Sequence, residues 1–276
     1  MGKPRLADRI LTPLRDQLER AGAPFVLGVS GLQGSGKSTL ARQLLDAASP
    51  HAAVCVSLDD VYLSRAARLT LARTQHPLLA TRGVPGTHDV ALLMRVLDEL
   101  PRASVLRPVR LPRFDKGRDD TLQPSAWPSV DQPPRLIVLE GWCLGVPAQA
   151  DAALIEPINA LEAEEDRDGR WRRYVNAQLR AAYAELWQRV DHWVVLQAPD
   201  FEVVSRWRDQ QERALRERQA PQAMDTQALA RFIAHYERLS RHALAVLPER
   251  ADTLVRLDAQ REVLELRHRN GAAHMP

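Results

Sequence analysis

The stretch Gly31-Leu-Gln-Gly-Ser-Gly-Lys-Ser-Thr39 matches the pattern G-x-x-x-x-G-K-[ST]. Glycines in this pattern let backbone N–H groups approach a polyphosphate with no Cβ in the way. The side chain of Lys37 is placed to reach the β- and γ-phosphates, and the Ser38 hydroxyl is placed to ligate Mg²⁺. We therefore expect phosphate contacts from the following residues: Gly31, Gln33, Gly34, Ser35, Gly36, Lys37, Ser38 and Thr39.

The segments on either side of this loop support the interpretation. Residues 24–30 are typical of a short buried strand, and Leu40, Ala41, Leu44 and Leu45 give one face of a helix that follows the loop. A loop between a strand and a helix N-terminus favours an anion through the helix dipole. The alternative is a glycine-rich turn that happens to hold a lysine. Agreement between motif and context favours nucleotide binding.

The composition is that of an ordinary globular protein. The chain has 276 residues, of which 45% are apolar and 26% are charged, enough for one large α/β domain or two small ones. The net charge is +3, and no dense block of Lys and Arg occurs. This balance argues against a nucleic-acid partner and suits phosphate and carboxylate ligands. We expect a monomer with a small-molecule substrate.

Cysteines and apolar runs indicate the compartment. Cys55 and Cys143 lie in or beside apolar runs, without metal-ligand spacing, which is typical of buried free thiols in a reducing compartment. The first residues carry charges throughout instead of the apolar core of a signal peptide. No apolar run reaches the length of a membrane span. We expect a cytoplasmic protein with no membrane partner.

Apolar runs alternate with amphipathic segments along the chain. The spacing predicts strands at residues 24–30, 52–58, 135–140, 192–196 and, as the closing strand, 253–257. It predicts an N-terminal helix at residues 5–22, within 1–22, and helices at 90–100, 171–190, 201–219 and 226–247. Residues 64–82 are typical of a helix followed by a polar loop that is broken at Pro77. Such alternation is typical of an α/β protein with a mainly parallel sheet and helices on both faces. Together with the phosphate loop, it predicts the P-loop NTPase fold in a single domain over residues 1–276.

Two segments do not follow this alternation. Residues 104–111 alternate like a strand but contain Pro108, which indicates an edge strand or a β-like loop. Residues 112–135 are rich in Pro, Asp, Arg and Lys, and we expect a long loop or insertion there.

A lid is predicted at about residues 200–220. Arg206 and Arg208 lie on the helix predicted there, where they are candidates to close over the triphosphate of a nucleotide. The alternative is that both are ordinary exposed charges of a helix surface.

Acidic residues follow two of the predicted strands. Asp59 and Asp60 come directly after the second strand, and Glu140 ends the third. In parallel sheets, ligands bind beyond the carboxyl ends of the strands. We expect one aspartate, with Asp59 favoured, to orient the acceptor hydroxyl near the γ-phosphate, the alternative being a helix N-cap pair. We expect Glu140 to hold Mg²⁺ together with Ser38.

Two loops are rich in residue types that bind a small hydroxylated acid. Residues 82–89 and 113–118 combine Arg, Lys, His, Thr and Asp with glycine, and a carboxylate ligand needs a fixed cation. The alternative is a pair of solvated charged loops. A further aromatic, Trp142, belongs either to the core or to a pocket wall. The acceptor-site candidates are Asp60, Tyr62, Thr87, His88, Asp89, Arg113, Asp115, Lys116 and Trp142.

Several of these segments resemble the D-glycerate 3-kinases of plants and fungi and their bacterial relatives. The similarity covers residues 24 to 258. More distantly, the order of these segments resembles that of phosphoribulokinase, uridine kinase and the bacterial pantothenate kinases. The pair Pro-Gly-Thr-His-Asp and Pro-Arg-Phe-Asp-Lys is more specific than the phosphate loop. The matching segments, in the order of that family, are 31–39, 58–63, 82–89, 111–116 and 139–142.

The resemblance implies an ATP-dependent kinase that phosphorylates a primary hydroxyl, most specifically converting D-glycerate to 3-phosphoglycerate with ATP and Mg²⁺. The relatives place their base in an Asp-x-Phe-Tyr stretch, which assigns that role to Asp59 here and puts Val61 where the relatives have Phe. The alternatives are a P-loop kinase for a nucleoside or a pantothenate-like acceptor, and a regulatory NTPase. Against the last, the sequence contains no Asn-Lys-x-Asp motif for guanine.

Overall fold

A six-stranded sheet forms the centre of the protein, which the computed structural model describes over residues 4–20, 22–217 and 224–269. The strands of the chain are β1 (Phe25–Gly31), β2 (Ala53–Ser57), β3 (Val109–Arg110), β4 (Phe114–Asp115), β5 (Asp120–Thr121), β6 (Ser129–Val130), β7 (Leu136–Gly141), β8 (His192–Gln197), β9 (Thr253–Leu257) and β10 (Val263–His268). The sheet has the order β10-β9-β8-β1-β7-β2, with every neighbouring pair parallel except β9 and β10.

Helices cover this sheet. They are α1 (Leu6–Leu11), α2 (Arg15–Arg20), α3 (Lys37–Ala47), α4 (Arg65–Thr74), α5 (Val90–Glu99), α6 (Ala160–Glu165), α7 (Arg170–Arg180), α8 (Ala182–Trp187), α9 (Val203–Glu217) and α10 (Thr226–Arg250). Every residue of β1 and β7 is buried. Because successive side chains of a strand point to opposite faces, both faces of the sheet are covered. The predicted α/β fold with a mainly parallel sheet is confirmed.

The register of the central strands brings their carboxyl ends level. Glu140 of β7 is paired with Val29 of β1 on one side and with Ser57 of β2 on the other. The strand β7 thus lies between β1 and β2, although β1 and β2 are consecutive in the chain. The segments that follow these strands therefore meet at one edge of the sheet.

Two predicted helices are each broken into two. The helix expected at residues 5–22 is α1 and α2, joined by a 3₁₀ turn that contains Pro13, whose missing N–H interrupts the helical hydrogen bonds. The helix expected at residues 171–190 is α7 and α8, separated at Ala181, which has φ −101° and ψ −114°. The second break has no proline or glycine to signal it.

Residues 104–135 contain more order than a long loop. Ser104 and Arg107 form a bridge, β3 pairs with β6, and β4 pairs with β5, each pair being antiparallel. The expected insertion is therefore two small β-ladders outside the main sheet. We call residues 114–121, which form β4, β5 and their turn, the recognition hairpin.

The C-terminal part also differs from expectation in one strand. The strand β9 does not close the sheet, because β10 follows it as an antiparallel edge. The helix α9 occupies most of the predicted lid region, and residues 218–220 of that prediction lie outside the described residues. Trp207, fully buried, fixes the first half of α9 by donating from its indole to the Ala259 carbonyl at 2.8 Å.

In the part of the chain that the structure describes, the helices are too short or too polar to cross a bilayer.

Candidate functional site

The phosphate loop has the shape that its sequence predicts. It leaves β1 at Gly31 and enters α3 at Lys37, and Gly36 precedes the helix with φ 91°, a left-handed conformation that favours glycine. The Lys37 ammonium donates to the Leu32 carbonyl at 3.0 Å, across the loop. Burial lowers the pKa of Lys37, and the nearby carboxylates of Glu140 and Asp59 oppose that shift.

Three oxygen-bearing side chains meet beside the start of α3. Ser57 donates to the Glu140 carboxylate at 2.6 Å, and Ser38 donates to the same oxygen at 3.3 Å. Carboxylate and hydroxyl oxygens are the ligands that a hard divalent cation such as Mg²⁺ prefers. Ser38 and Glu140 therefore fit the predicted metal site, and Ser57 orients the Glu140 carboxylate.

Asp59 lies in a 3₁₀ turn, Leu58–Val61, directly after β2. The N-cap of that turn is Ser57, so the interpretation of the aspartates as a cap pair does not hold. The Tyr62 hydroxyl donates to Oδ1 of Asp59 at 2.7 Å, and the Lys116 ammonium donates to Oδ2 at 2.6 Å.

These partners decide the charge of Asp59. Burial by itself raises the pKa of this carboxyl, but the Lys116 ammonium and the hydroxyl of Tyr62 outweigh it, and the pKa lies well below its usual range. Burial raises the pKa of the Tyr62 phenol far above its ordinary value, so the phenol remains a donor. Asp59 is therefore an ionised carboxylate at neutral pH.

The arginines Arg82 and Arg208 also line the cavity. Arg82 pairs with Asp119 and donates to the Lys116 carbonyl at 3.4 Å. Arg208, from α9, pairs with Glu212 at 2.9 Å and lies 5.3 Å from the centre of the Phe232 ring. Side chains of this type bind carboxylates and phosphates.

Aromatic residues form a further part of the cavity lining. The Trp142 and Tyr236 rings meet edge to face at 4.9 Å, and Phe232 lies 4.8 Å from Tyr236. Trp142 donates to the Gly83 carbonyl and Tyr236 to the Arg82 carbonyl, each at 2.9 Å. Trp142 is thus both buried and part of a cavity wall, and the wall fixes the backbone from which Arg82 projects.

The cavity enclosed by these groups has a volume of about 190 Å³. It joins the phosphate loop, the oxygen cluster at Glu140, the Asp59 carboxylate and the cations in one space. The predicted site residues that line it are Gln33, Gly34, Lys37, Ser38, Asp59, Tyr62, Lys116, Glu140, Trp142 and Arg208. Gly31, Ser35, Gly36 and Thr39 belong to the phosphate loop and the first turn of α3 around it.

The other predicted acceptor residues lie behind the lining. Thr87, fully buried, donates to the Val84 carbonyl, and Asp89 caps α5 by accepting from Leu92 N–H at 2.8 Å. His88 stacks on the Tyr62 ring with a centroid distance of 4.7 Å. These three residues therefore shape and support the wall in which Tyr62 stands.

Asp60, Arg113 and Asp115 connect the recognition hairpin to the sheet or stabilise its turn. Asp60 pairs with Arg113 at 3.1 Å and accepts from the Phe114 N–H at 3.4 Å. Asp115 accepts from Gly117 N–H at 2.9 Å within the turn. Arg206, in contrast with Arg208, is exposed and is separate from the cavity lining.

Three lining residues were not among the predicted site residues: Arg82, Phe232 and Tyr236. Arg82 belongs to a loop that its composition had marked, without singling out this residue. Phe232 and Tyr236 follow the helical spacing of an apolar face, a pattern that is the same for a core and for a cavity wall.

A phosphate loop between β1 and α3, with carboxylates at the ends of β7 and β2 and a cavity beside them, defines a P-loop kinase. No family model matches the chain. Its sequence is 35% identical over 247 residues to mug58, an uncharacterized kinase of Schizosaccharomyces pombe, covering 84% of this chain and 85% of that protein. The chain belongs to the same family of kinases as that protein, and it is a phosphotransferase that acts on a hydroxyl group.

Two further proteins similar to this chain are named D-glycerate 3-kinase. The chloroplastic D-glycerate 3-kinase of Arabidopsis thaliana is 33% identical over 226 residues, which cover 77% of this chain. The same alignment covers 46% of the plant protein, so this chain spans less than half of its length. The solved D-glycerate 3-kinase of Cryptococcus neoformans has a TM-score of 0.78 at 23% identity, covering 96% of this chain and 100% of that one, a likeness of fold.

Proposed function

We propose that this kinase transfers the γ-phosphoryl group of ATP to the primary hydroxyl of D-glycerate, giving 3-phosphoglycerate. The observation that carries the proposal is the ion pair of Asp59 with Lys116 in a cavity that Lys37, Arg82 and Arg208 also line. A small hydroxy acid needs these features together: a carboxylate that orients its hydroxyl, and fixed positive charge that holds its own carboxylate. The family relatives named for this reaction support the same acceptor.

The protein residues divide the work of the transfer. Backbone N–H groups of the phosphate loop and the Lys37 ammonium hold the β- and γ-phosphates and offset charge that develops between them. Asp59 accepts a hydrogen bond from the acceptor hydroxyl and takes its proton as the new bond to phosphorus forms. Arg82, Lys116 and Arg208 are the candidates to bind the acceptor carboxylate and to shield the reaction from water.

Mg²⁺ fits the oxygen cluster at the end of β7. Ser38 and Glu140 would hold it, directly or through water, and the ion would neutralise phosphate charge. We also propose a cytoplasmic site of action, because Cys55 and Cys143 are both free thiols, as is usual in a reducing compartment.

A screen of ADP release tests the acceptor. D-glycerate, L-glycerate, a set of nucleosides and pantothenate are each supplied with saturating MgATP, and we expect D-glycerate to give the highest kcat/KM. The phosphorylated carbon is then assigned by NMR of the product. Faster turnover with a nucleoside or with pantothenate would replace the acceptor and leave the kinase assignment in place. Brisk turnover without any acceptor would instead favour a nucleotide hydrolase.

A further inference from the structure

The proposed base is already bonded in the described structure. Oδ2 of Asp59 accepts from the Lys116 ammonium at 2.6 Å, and Oδ1 accepts from the Tyr62 hydroxyl at 2.7 Å. Short hydrogen bonds to an ionised group are strong. An acceptor hydroxyl that approaches Asp59 must therefore compete with one of these two partners.

Lys116 is the partner that is able to move. Its side chain is 58% exposed, whereas Tyr62 is buried between His88, at 4.7 Å, and Phe114, at 5.2 Å. A lysine carries its charge at the end of a flexible four-carbon stem. Lys116 can leave Asp59 through a change of rotamer, without any movement of the fold.

The backbone that carries Lys116 is held in place. The buried guanidinium of Arg68 donates to the Asp119 carbonyl at 2.8 Å and pairs with the Asp119 carboxylate at 2.9 Å. Arg82 pairs with the same carboxylate and donates to the carbonyl of Lys116. The recognition hairpin therefore keeps Lys116 within reach of the cavity after its ammonium has left Asp59.

An anion is needed to draw the ammonium away. Among the described residues, Asp59 is the carboxylate with which Lys116 forms an ion pair. An acid that enters the cavity offers Lys116 a second carboxylate, so one charge-assisted bond replaces another. A neutral alcohol offers no such replacement, and breaking the pair for it lowers productive binding by about 10- to 100-fold.

We propose that phosphoryl transfer requires a carboxylate on the acceptor, because this carboxylate is what displaces Lys116 from Asp59. We call this requirement the trigger, and the inference rests on the proposed acid acceptor. The acid draws Lys116 off Asp59, and the acceptor hydroxyl then donates to the freed carboxylate. The hydroxyl oxygen bonds to the γ-phosphorus, the bond from that phosphorus to the β-phosphate oxygen breaks, the proton passes to Asp59, and ADP leaves. Lys116 thus makes the enzyme specific for glycerate over glycerol, which has a hydroxymethyl group in place of the carboxylate.

ATP hydrolysis without an acceptor tests whether the ion pair with Lys116 keeps Asp59 from orienting water. This test does not depend on the identity of the acceptor. Lys116→Met leaves Asp59 free to orient water, and we expect ATP hydrolysis about tenfold or more faster than in the wild type. Arg118→Met removes an exposed cation from the same turn and serves as the matched control, with hydrolysis at the wild-type rate.

Two small molecules separate the trigger from a general effect. D-lactate has the carboxylate of D-glycerate but no terminal hydroxyl, and we expect it to stimulate ATP hydrolysis by the wild type and not by Lys116→Met. The ratio of kcat/KM for D-glycerate to that for glycerol should fall by about 10- to 100-fold in Lys116→Met. A structural role of Lys116 alone would lower all rates together and leave this ratio unchanged.

The outcomes distinguish the two proposals. Equal acceptor-free hydrolysis by the wild type and Lys116→Met overturns the trigger. A wild type that does not phosphorylate D-glycerate overturns the proposed function, while the acceptor-free comparison still decides the role of Lys116.

Discussion

Asp59 places a negative charge where a hydroxyl must be oriented, and Lys116 and Tyr62 keep that charge in place near neutral pH. Asp59→Asn retains the shape of the side chain and removes the charge. We expect kcat with D-glycerate to fall about 10²- to 10⁴-fold, the usual contribution of a general base. Coupled ADP release measures kcat, and binding of an ATP analogue by calorimetry should be unchanged.

Asp60 provides a matched control for this prediction. Its carboxylate also lies at the end of β2, but it bonds to Arg113 and to Phe114 N–H, outside the cavity lining. Asp60→Asn weakens a half-exposed ion pair, so kcat should stay within about tenfold of the wild type. Equal losses in the two variants would contradict a specific role for the Asp59 charge.

A further prediction concerns Glu140, which we propose as a residue that holds Mg²⁺. Glu140→Gln keeps an oxygen that Ser38 and Ser57 can bond, but it removes the negative charge from the cluster. We expect the Mg²⁺ concentration for half-maximal activity to rise by about 10- to 100-fold. Titration of MgCl₂ at fixed ATP measures this change, and an unaltered titration curve would remove Glu140 from the metal site.

Single residues were predictable where a motif carries the chemistry. Lys37 follows from the glycine pattern, and Asp59 and Glu140 follow from their positions after apolar strands. Tyr236 was not predictable, because its spacing on α10 is the spacing of any buried face. Arg82 was not predictable as a single residue, because its position depends on Asp119, 37 residues away in the chain.

At the scale of elements, Arg68 connects the recognition hairpin to the rest of the protein. Its guanidinium lies on α4, is almost fully buried, and bonds to the Leu63, Ala80 and Asp119 carbonyls. Arg68→Met leaves these acceptors and the Asp119 carboxylate without their buried cation. We expect the free energy of unfolding to fall by about 3–5 kcal/mol, measured by urea denaturation.

Arg68→Met should also weaken binding of the acceptor. Lys116 and Arg82 lose their common support, so KM for D-glycerate should rise more than KM for ATP. Arg65→Met, on the exposed side of α4, is the control and should leave both stability and KM close to wild type. A rise of both KM values in proportion would argue against a hairpin that serves the acceptor.

Elements with a continuous apolar pattern were predictable, and those without one were not. The strand β7 has four consecutive aliphatic residues between a charge and Glu-Gly, and its prediction differs from the structure by one residue at each end. The strands β4 and β5 have two residues each and lack such a pattern. They form because Asp119 and Phe114 pack on arginines from α4 and the 82–89 loop, contacts between segments that local sequence does not encode.

At the scale of the whole molecule, the site exists because β7 lies between β1 and β2. The alternation of strands and helices predicts a parallel sheet and places Lys37, Asp59 and Glu140 at one edge of it. The order of strands was not predictable, because a strand that is buried on both faces, as β1 and β7 are, carries no pattern that identifies its neighbours. The aromatic wall from α10 likewise reaches the cavity only through the packing of the complete fold.

The stability of the whole molecule should depend on pH through His88. The ring is buried behind Tyr62, and burial lowers its pKa to about 4, although the Asp59 charge opposes this shift. The Tyr183 hydroxyl accepts from Gly86 N–H and lies 2.6 Å from Nδ1 of His88, consistent with a neutral ring that accepts a hydrogen bond from this hydroxyl.

The direction in which pH changes the free energy of unfolding follows from the pKa of His88 in the folded and in the unfolded protein. The unfolded chain has an ordinary histidine pKa of about 6.5, so between pH 6.5 and 4 it binds more protons at this position than the folded protein does. The contribution of His88 is therefore complete above pH 6.5 and is lost as the pH falls toward 4, by roughly 3 kcal/mol in total. Paired carboxylates such as Asp59 lose stability in the same direction, so a variant must isolate the histidine.

His88→Asn keeps an acceptor for Tyr183 and cannot titrate. Urea denaturation of the wild type and of this variant at pH 7.5, 6.5, 5.5 and 4.5 gives the free energy of unfolding at each pH. We expect the variant to be less stable at pH 7.5, because it leaves a cavity beside Tyr62, and the difference between the two proteins to shrink steadily below pH 6.5. A difference that stays constant across this range would mean that His88 has the same pKa in the folded and unfolded protein. Burial behind Tyr62 would then not disfavour the charged ring.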